Sequence, residues 1–185
     1  MITQIALAAS TLVFALDSLP AQRPAAFETP VVGSTAGSPF VDRCLANEVM
    51  AGVSARVTGG ELTAMAIICR AVTAEGALGA SQPARPFHGA PTGSAAVAEC
   101  PRGQVLRGLA VYFAGAVKGV GLYCRVWDGS SFGAAGAASE TVGAATGTMA
   151  PVACPPDGGQ PAVGVGGAVA TRVSSLRLVC DSPRR

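Results

Sequence analysis

The chain has 185 residues, of which 50% are apolar, only 5% are aromatic and 24 are glycine. Its 13 basic residues nearly balance its 11 acidic ones, and the arginines are scattered along the chain rather than clustered. Nucleic-acid binding normally needs a concentrated positive surface, so the composition argues against that class. The high apolar content argues against disorder and, at this length, favours one folded domain.

The N-terminal segment contains an uncharged, apolar run, IALAASTLVFAL, at residues 5–16. It is shorter than the about 20 residues that a membrane-spanning helix needs. A small residue, Ala21, follows Pro20, so residues 1–21 are predicted to be a signal peptide cleaved between Ala21 and Gln22. Because residues 1–4 carry no Lys or Arg, a buried N-terminal segment or an uncleaved anchor is the alternative. The prediction is therefore export, to the periplasm or the exterior.

The remaining residues, 22–185, are predicted to form a single domain built from three copies of one sequence unit. Each copy has glycines eleven and seven residues before its first cysteine, and its second cysteine follows after 24 to 26 residues. The copies cover residues 44–99, 100–153 and 154–185, and residues 31–43 supply the segment that the third copy lacks. We therefore expect the N-terminal strand to pair into the sheet of the last repeat, which closes a ring of three sheets.

Apolar residues alternate around both cysteines of each repeat. They stand one and five positions after the glycines Gly52, Gly108 and Gly164, and two and four positions before each second cysteine. A period of two is typical of strands with one buried face. The sequence therefore predicts an all-β fold with two or more strands per repeat, and equivalent strands near residues 38–44, 94–100 and 148–154.

The six cysteines are predicted to form disulfides that recur once in each repeat. The pairing that treats each repeat alike and closes the shortest loops is Cys44 with Cys69, Cys100 with Cys124, and Cys154 with Cys180. A pairing between repeats, with Cys69 bound to Cys100 and Cys124 to Cys154, is the alternative. Zinc is disfavoured because the chain has no CxxC spacing and one histidine. Disulfides agree with export to an oxidising compartment.

The spaced glycines followed by CPRGQVLRGLAVYFAGAVKGVGLYC, between Cys100 and Cys124, resemble a repeat of secreted bacterial β-prism proteins. That repeat is similar in layout to jacalin-like lectins and to the vitelline membrane outer layer protein. The resemblance covers residues 31–180 and implies a disulfide-stapled prism of three four-stranded antiparallel sheets around a pseudo-threefold axis. Related repeats commonly carry an aspartate a few residues before the second cysteine, whereas LTAMAIIC, VKGVGLYC and VSSLRLVC contain no acid. Jacalin-type sugar sites use a backbone glycine turn plus an aspartate, and no residue here matches that aspartate. No family binding site is therefore carried over.

Four neighbouring residues of the middle repeat are the candidate ligand-binding residues: Tyr123, Arg125, Trp127 and Asp128. An aromatic ring beside a guanidinium and a carboxylate can stack on a sugar and form hydrogen bonds with it. The alternative for Trp127 is that its ring packs beneath a loop, because the chain has few large side chains. His88, the one histidine, is expected to be a solvated loop residue.

No nucleophile, general base or metal cluster is recognisable in the sequence, so no enzyme activity, cofactor or metal site is predicted. The predicted function is a secreted or periplasmic non-catalytic binding module for carbohydrate or a cell-surface polymer. The alternative is a structural or envelope-interaction protein without a small-molecule ligand. A glycan is the expected partner, no nucleic acid is expected, no membrane span is expected after signal removal, and the oligomeric state is left open.

Overall fold

A computed structural model describes residues 25–83, 85–155 and 159–183, and the predicted signal peptide lies outside these residues. All regular secondary structure in the described ranges is β, in fifteen strands. None of the described residues forms a helix long and apolar enough to cross a membrane. The all-β prediction is confirmed.

The strands form three separate antiparallel sheets, one for each repeat. Sheet I contains β4 (Glu48–Thr58), β5 (Glu61–Val72), β6 (Leu78–Ser81), β7 (His88–Gly89) and β8 (Ser94–Glu99). Sheet II contains β9 (Gln104–Ala114), β10 (Ala116–Trp127), β11 (Phe132–Ala138), β12 (Val142–Gly143) and β13 (Thr148–Ala153). Sheet III contains β14 (Ala162–Val169), β15 (Val173–Cys180), β1 (Phe27–Glu28), β2 (Val32–Gly33) and β3 (Ser38–Arg43).

Each sheet has the same layout around a long central hairpin. One hairpin strand pairs with a six-residue strand, and the other pairs along its outer edge with two consecutive strands of two to seven residues. Counting those two as one interrupted strand gives four strands per sheet, so the predicted β-prism is confirmed. In sheet III, the N-terminal strand β3 pairs with β14, from Ser38 opposite Val169 to Arg43 opposite Gly164.

The inward faces of the three sheets share one apolar core. It is built from alternate residues of the hairpin strands, and its largest fully buried members include Met50, Leu62, Met65, Ile67, Leu106, Leu109, Leu122, Leu176 and Leu178. A smaller apolar cluster, here called the end cluster, comprises Val49, Val72, Val105, Trp127, Val163 and Val179. The alternation read from the sequence therefore reflects one shared interior.

Three disulfides lie within repeats, as predicted: Cys44–Cys69, Cys100–Cys124 and Cys154–Cys180. Their Cα atoms are 5.8, 5.6 and 5.7 Å apart, inside the bridgeable range of about 4.4 to 6.8 Å. The alternative pairing between repeats is wrong, and no cysteine is free. Three such bonds indicate an oxidising environment.

The glycine after each first cysteine is required by a close approach of two strands. A Cβ atom on Gly52 would lie 2.4 Å from the carbonyl oxygen of Ala98, and one on Gly164 would lie 2.4 Å from that of Asp42. Gly108 is restricted in the same way by the carbonyl oxygen of Val152, 2.9 Å from the position of a Cβ atom. A side chain at these positions would separate each hairpin from the neighbouring six-residue strand.

Candidate functional site

The residue before each of these glycines is the extra residue of a β-bulge. In sheet II, Tyr123 lies opposite Gly108 and Cys124 lies opposite Leu106, so Arg107 has no direct partner on β10. The same interruption leaves Ala51 unpaired in sheet I and Val163 unpaired in sheet III. A bulge changes the direction of the side chains beside it. The middle repeat alone carries a charged residue at this position.

Arg107 lies in a shallow groove on the outer face of sheet II. The groove has a volume of about 200 Å³ and is lined by Arg107, Tyr123, Cys124, Arg125, Ala135 and Gly136. Along β10, Leu122 and Cys124 belong to the core, so Tyr123 and Arg125 point outward. The Tyr123 side chain is accessible, with 37% of the residue surface exposed.

The absence of a side chain at Gly108 allows the tyrosine ring to lie across the sheet. A Cβ atom on Gly108 would lie 3.2 Å from Cδ2 of Tyr123, in tight contact with the ring. In the other repeats, the residues equivalent to Tyr123 are Ile68 and Val179, which are buried. The ring is therefore an exposed aromatic surface at a position where the other two sheets have a buried aliphatic side chain.

Both guanidinium groups of the groove are held against the strand β11. The Arg125 Nη1 group donates a hydrogen bond to the carbonyl oxygen of Gly133 at 3.0 Å. The Arg107 guanidinium lies over the ring of Phe132, with its central carbon 5.9 Å from the ring centroid, within the range of a cation–π contact. Arg107 and Arg125 are the two basic residues of the described lining, and none of the described lining residues is acidic.

Trp127 is buried rather than exposed beside the groove. Only 5% of its surface is accessible, it packs in the end cluster, and its indole Nε1 donates to the carbonyl oxygen of Gly159 at 3.3 Å. The equivalent residues, three positions after each second cysteine, are Val72 and Pro183, and both are buried. This placement is the packing alternative considered for Trp127, and it leaves no ring face for a ligand.

Asp128 has a local role in the turn that leads to β11. Its two carboxylate oxygens accept four hydrogen bonds of 2.8 to 2.9 Å, from the backbone amides and the hydroxyl groups of Ser130 and Ser131. These donors, led by the Ser130 amide, hold the pKa of Asp128 well below its ordinary value. The carboxylate is therefore occupied within its own turn.

A larger cavity, of about 460 Å³, lies at the contact between sheet I and the turn that precedes sheet II. It contains Arg70, the residue equivalent to Arg125, which is only 4% exposed. All five N–H groups of Arg70 are used within the protein. The acceptors are Oγ of Ser81, Oε1 of Glu99 and the carbonyl oxygens of Cys100, Pro101 and Gln104. Arg70 therefore joins two repeats and has no N–H group left for a ligand.

A third concavity, of about 300 Å³, includes Cys44 and Glu48 among its lining residues. The Glu48 carboxylate accepts a hydrogen bond from the Leu45 amide and forms an ion pair with Arg85. Potential ligand atoms of Cys44, Glu48 and Cys69 lie within 4.8 Å of one another. Both sulfur atoms belong to a disulfide, however, so they are not available as metal-binding thiolates.

The expectation of a solvated loop for His88 is wrong, because the residue belongs to β7 and packs between sheets I and III. Its ring stacks on Phe40 with centroids 4.5 Å apart, and its Nε2 lies 3.7 Å from Oδ2 of Asp42. The side chain is 32% exposed. His88 thus contributes to the packing between two sheets.

No protein-family model and no curated protein matches this chain. Solved structures show the fold clearly. A prostate-specific WGA16 glycoprotein lectin has a TM-score of 0.59 and 18% identity, over 85% of this chain and 100% of the other. A Malaysian banana lectin has a TM-score of 0.58 and 12% identity, over 85% of this chain and 99% of the other. Single-chain recombinant jacalin has a TM-score of 0.59 and 10% identity, over 90% and 99%. The chain therefore has the jacalin-type β-prism fold.

Of the four candidate residues, the structure brings Tyr123 and Arg125 together in the groove. It places Trp127 in the end cluster and Asp128 in the turn before β11. Arg107 is the groove residue that sequence reasoning missed. A signal for it was present in the repeat alignment, where Arg107 is the charged member of a set whose other members are Ala51 and Val163.

Proposed function

We propose that this protein is a secreted or periplasmic, non-catalytic carbohydrate-binding module whose binding site is the groove on sheet II. One observation carries the proposal: an exposed tyrosine ring and two arginines line one groove on the face of a prism whose structural neighbours are lectins. The three disulfides and the predicted signal peptide support the location.

The groove has the chemistry that a sugar needs. A sugar ring has an apolar face of C–H groups and a rim of hydroxyl groups, so it suits an aromatic surface surrounded by polar groups. The Tyr123 ring supplies the surface and its hydroxyl group supplies a donor and acceptor, while Arg125 supplies N–H donors. Such a pattern, an apolar floor with few polar groups placed around it, is typical of small-ligand sites.

The second candidate function is a structural or envelope-interaction protein, and exposed apolar side chains on the sheets favour it. Val41 on β3 is 48% exposed, Val97 on β8 is 60% exposed, and Met149 on β13 is 48% exposed. These residues belong to the six-residue outer strands, away from the groove. A protein partner on these strands would leave the groove free, so the two functions predict different sensitive residues.

The test is binding to an array of immobilised glycans, with Tyr123→Ala compared with Tyr112→Ala. Tyr112 lies on β9 of the same sheet and does not line the groove, so it is a matched control. Loss of the stacked ring should weaken binding by about 1 to 3 kcal/mol, the scale of aromatic stacking on a planar ligand. Tyr112→Ala should bind as the unaltered protein does. Absence of glycan binding, or equal loss in both variants, would refute the proposal.

A further inference from the structure

We infer that the groove selects saccharides that carry a carboxylate or a sulfate, an inference that rests on the proposed function of the same groove. The observation behind it is Arg125, an arginine with unused N–H donors that lines the same groove as Tyr123. Neutral sugars can be recognised by amides and hydroxyl groups alone, whereas a guanidinium with unused donors, in a groove whose described lining holds no carboxylate, favours an anion.

Arg125 has N–H groups available for such an anion. A guanidinium has five N–H donors, and the hydrogen bond from Arg125 within the described part of the chain goes to the Gly133 carbonyl. Its equivalent in sheet I, Arg70, uses all five donors on protein acceptors, and its equivalent in sheet III is Asp181. Arg125 thus differs from Arg70 in that most of its N–H groups are not used by acceptors within the described part of the chain.

The acidic residue nearest to Arg125 in sequence, Asp128, is engaged by its own turn. Asp128 lies three residues beyond Arg125, and its two oxygens are engaged by Ser130 and Ser131. In the cavity of sheet I, by contrast, Glu99 forms an ion pair with Arg70. Arg125 therefore keeps N–H donors for a ligand, whereas Arg70 uses all of its donors within the protein.

The size of the groove limits what enters it. A volume of about 200 Å³ is below the roughly 300 to 1,000 Å³ of sites that enclose drug-sized ligands. It therefore suits one sugar unit, with the rest of an oligosaccharide on the surface of sheet II. The tyrosine ring would face the sugar, and Arg125 would donate hydrogen bonds to its carboxylate or sulfate oxygens.

The test is calorimetric titration with matched pairs of oligosaccharides at two salt concentrations. One pair is an oligogalacturonate and its fully methyl-esterified form, and the other is a sulfated galactan oligosaccharide and its desulfated form. The variants are Arg107→Gln and Arg125→Gln. The matched control is Arg102→Gln, which removes one positive charge at the cavity of sheet I rather than in the groove. Thermal unfolding of each variant checks that the fold is intact.

The expected result is tighter binding of the anionic member of at least one pair, weakened at higher salt. Each groove variant should reduce that affinity about threefold to tenfold, the range for a partly exposed charged hydrogen bond, and Arg102→Gln should not. The pair that responds identifies carboxylate or sulfate as the preferred group. Equal affinity within both pairs, with dependence on Tyr123, would overturn the inference and leave the proposed function standing. Anion preference that survives both groove substitutions would also overturn it, and no saccharide binding at all would refute both.

Discussion

Replacing Arg70 by Met should destabilise the protein strongly, because Arg70 joins the first and second repeats through a buried guanidinium. Methionine retains an unbranched apolar side chain of similar length but has no N–H donors. The substitution leaves the carbonyl oxygens of Cys100, Pro101 and Gln104 without the donor that now satisfies them. Glu99 loses its partner too, although its side chain is 35% exposed and can be hydrated.

The size of the effect follows from these contacts. Removing one side of a buried hydrogen-bonded charge network costs about 3 to 5 kcal/mol. For a domain of this length, each kcal/mol lowers the midpoint of thermal unfolding by about 2 to 4 °C, so the expected decrease is on the order of 10 °C. Met cannot fully offset this loss by apolar burial, because the surrounding groups are mainly backbone oxygens.

The threefold repeat supplies the control. Arg125→Met changes the equivalent residue of sheet II, which is partly exposed and donates to the Gly133 carbonyl. It should cost less than about 1 kcal/mol. Urea and thermal unfolding, followed by circular dichroism with the disulfides intact, would measure both variants. If Arg70→Met and Arg125→Met lower the stability equally, or Arg70→Met does not lower it, the reasoning from the satisfied guanidinium is refuted.

Two further comparisons test a sterically restricted glycine and an ion pair between sheets. Gly89→Ala should cost about 2 to 4 kcal/mol of stability, since φ is 107° and a Cβ atom would lie 2.3 Å from the Thr63 carbonyl oxygen. Gly103→Ala should cost about 1 kcal/mol, because φ is 74° but a Cβ atom there would have no neighbouring atom within 4 Å. Equal losses in urea unfolding would contradict the steric argument. Glu61→Gln should destabilise the protein at pH 7, since the hydrogen bond from Lys118, and then the charge of Arg172, lower the pKa of the Glu61 carboxyl. Because the pKa of Glu61 is lower in the folded protein than the about 4.3 of an unfolded chain, its charge stabilises the fold above that pH. The stability difference between the unaltered protein and Glu61→Gln should therefore shrink as the pH falls below about 4.3. A difference independent of pH would refute this account of the ion pairs.

The repeated positions made the fold predictable. The glycines and cysteines recur in step because every sheet needs the same close approach and the same bridge, and the expected strands near 38–44, 94–100 and 148–154 are observed at Ser38–Arg43, Ser94–Glu99 and Thr148–Ala153. Alternation of apolar residues also gave the inward faces of the hairpins. These features depend on local sequence, so they can be read without coordinates.

The orientation of Arg107 could not be read in this way. Strict alternation back from Leu109 and Val111 places Arg107 on the core side of β9. The bulge inserts one residue, so Leu106 is the residue that enters the core instead and Arg107 lies in the groove. A bulge depends on how two strands pair, and a single strand's pattern does not contain that information.

Trp127 was a candidate ligand-binding residue, and its burial could have been recognised from the other two repeats. A lone tryptophan beside charged residues suggested a ligand surface, yet its position within the repeat is buried in all three copies, as Val72, Trp127 and Pro183. This position contributes an apolar group to the end cluster, where the Trp127 ring belongs to the same buried set as Val105 and Val163. Comparison between repeats is thus a better guide to burial than the chemical character of one residue.

The same comparison explains how a binding site can arise on one face of a threefold protein. The bulge glycine is sterically fixed, because a Cβ atom at Gly52, Gly108 or Gly164 would collide with the neighbouring strand. The bulged residue before it has no such restriction and is Ala, Arg or Val in the three sheets. Substitution there changes surface chemistry while the paired glycine and the disulfide keep the backbone in place. The groove of sheet II therefore lies at a position where the glycine and the disulfide hold the backbone while the side chain of the bulged residue is free to vary. A fixed backbone of this kind suits a preorganised site.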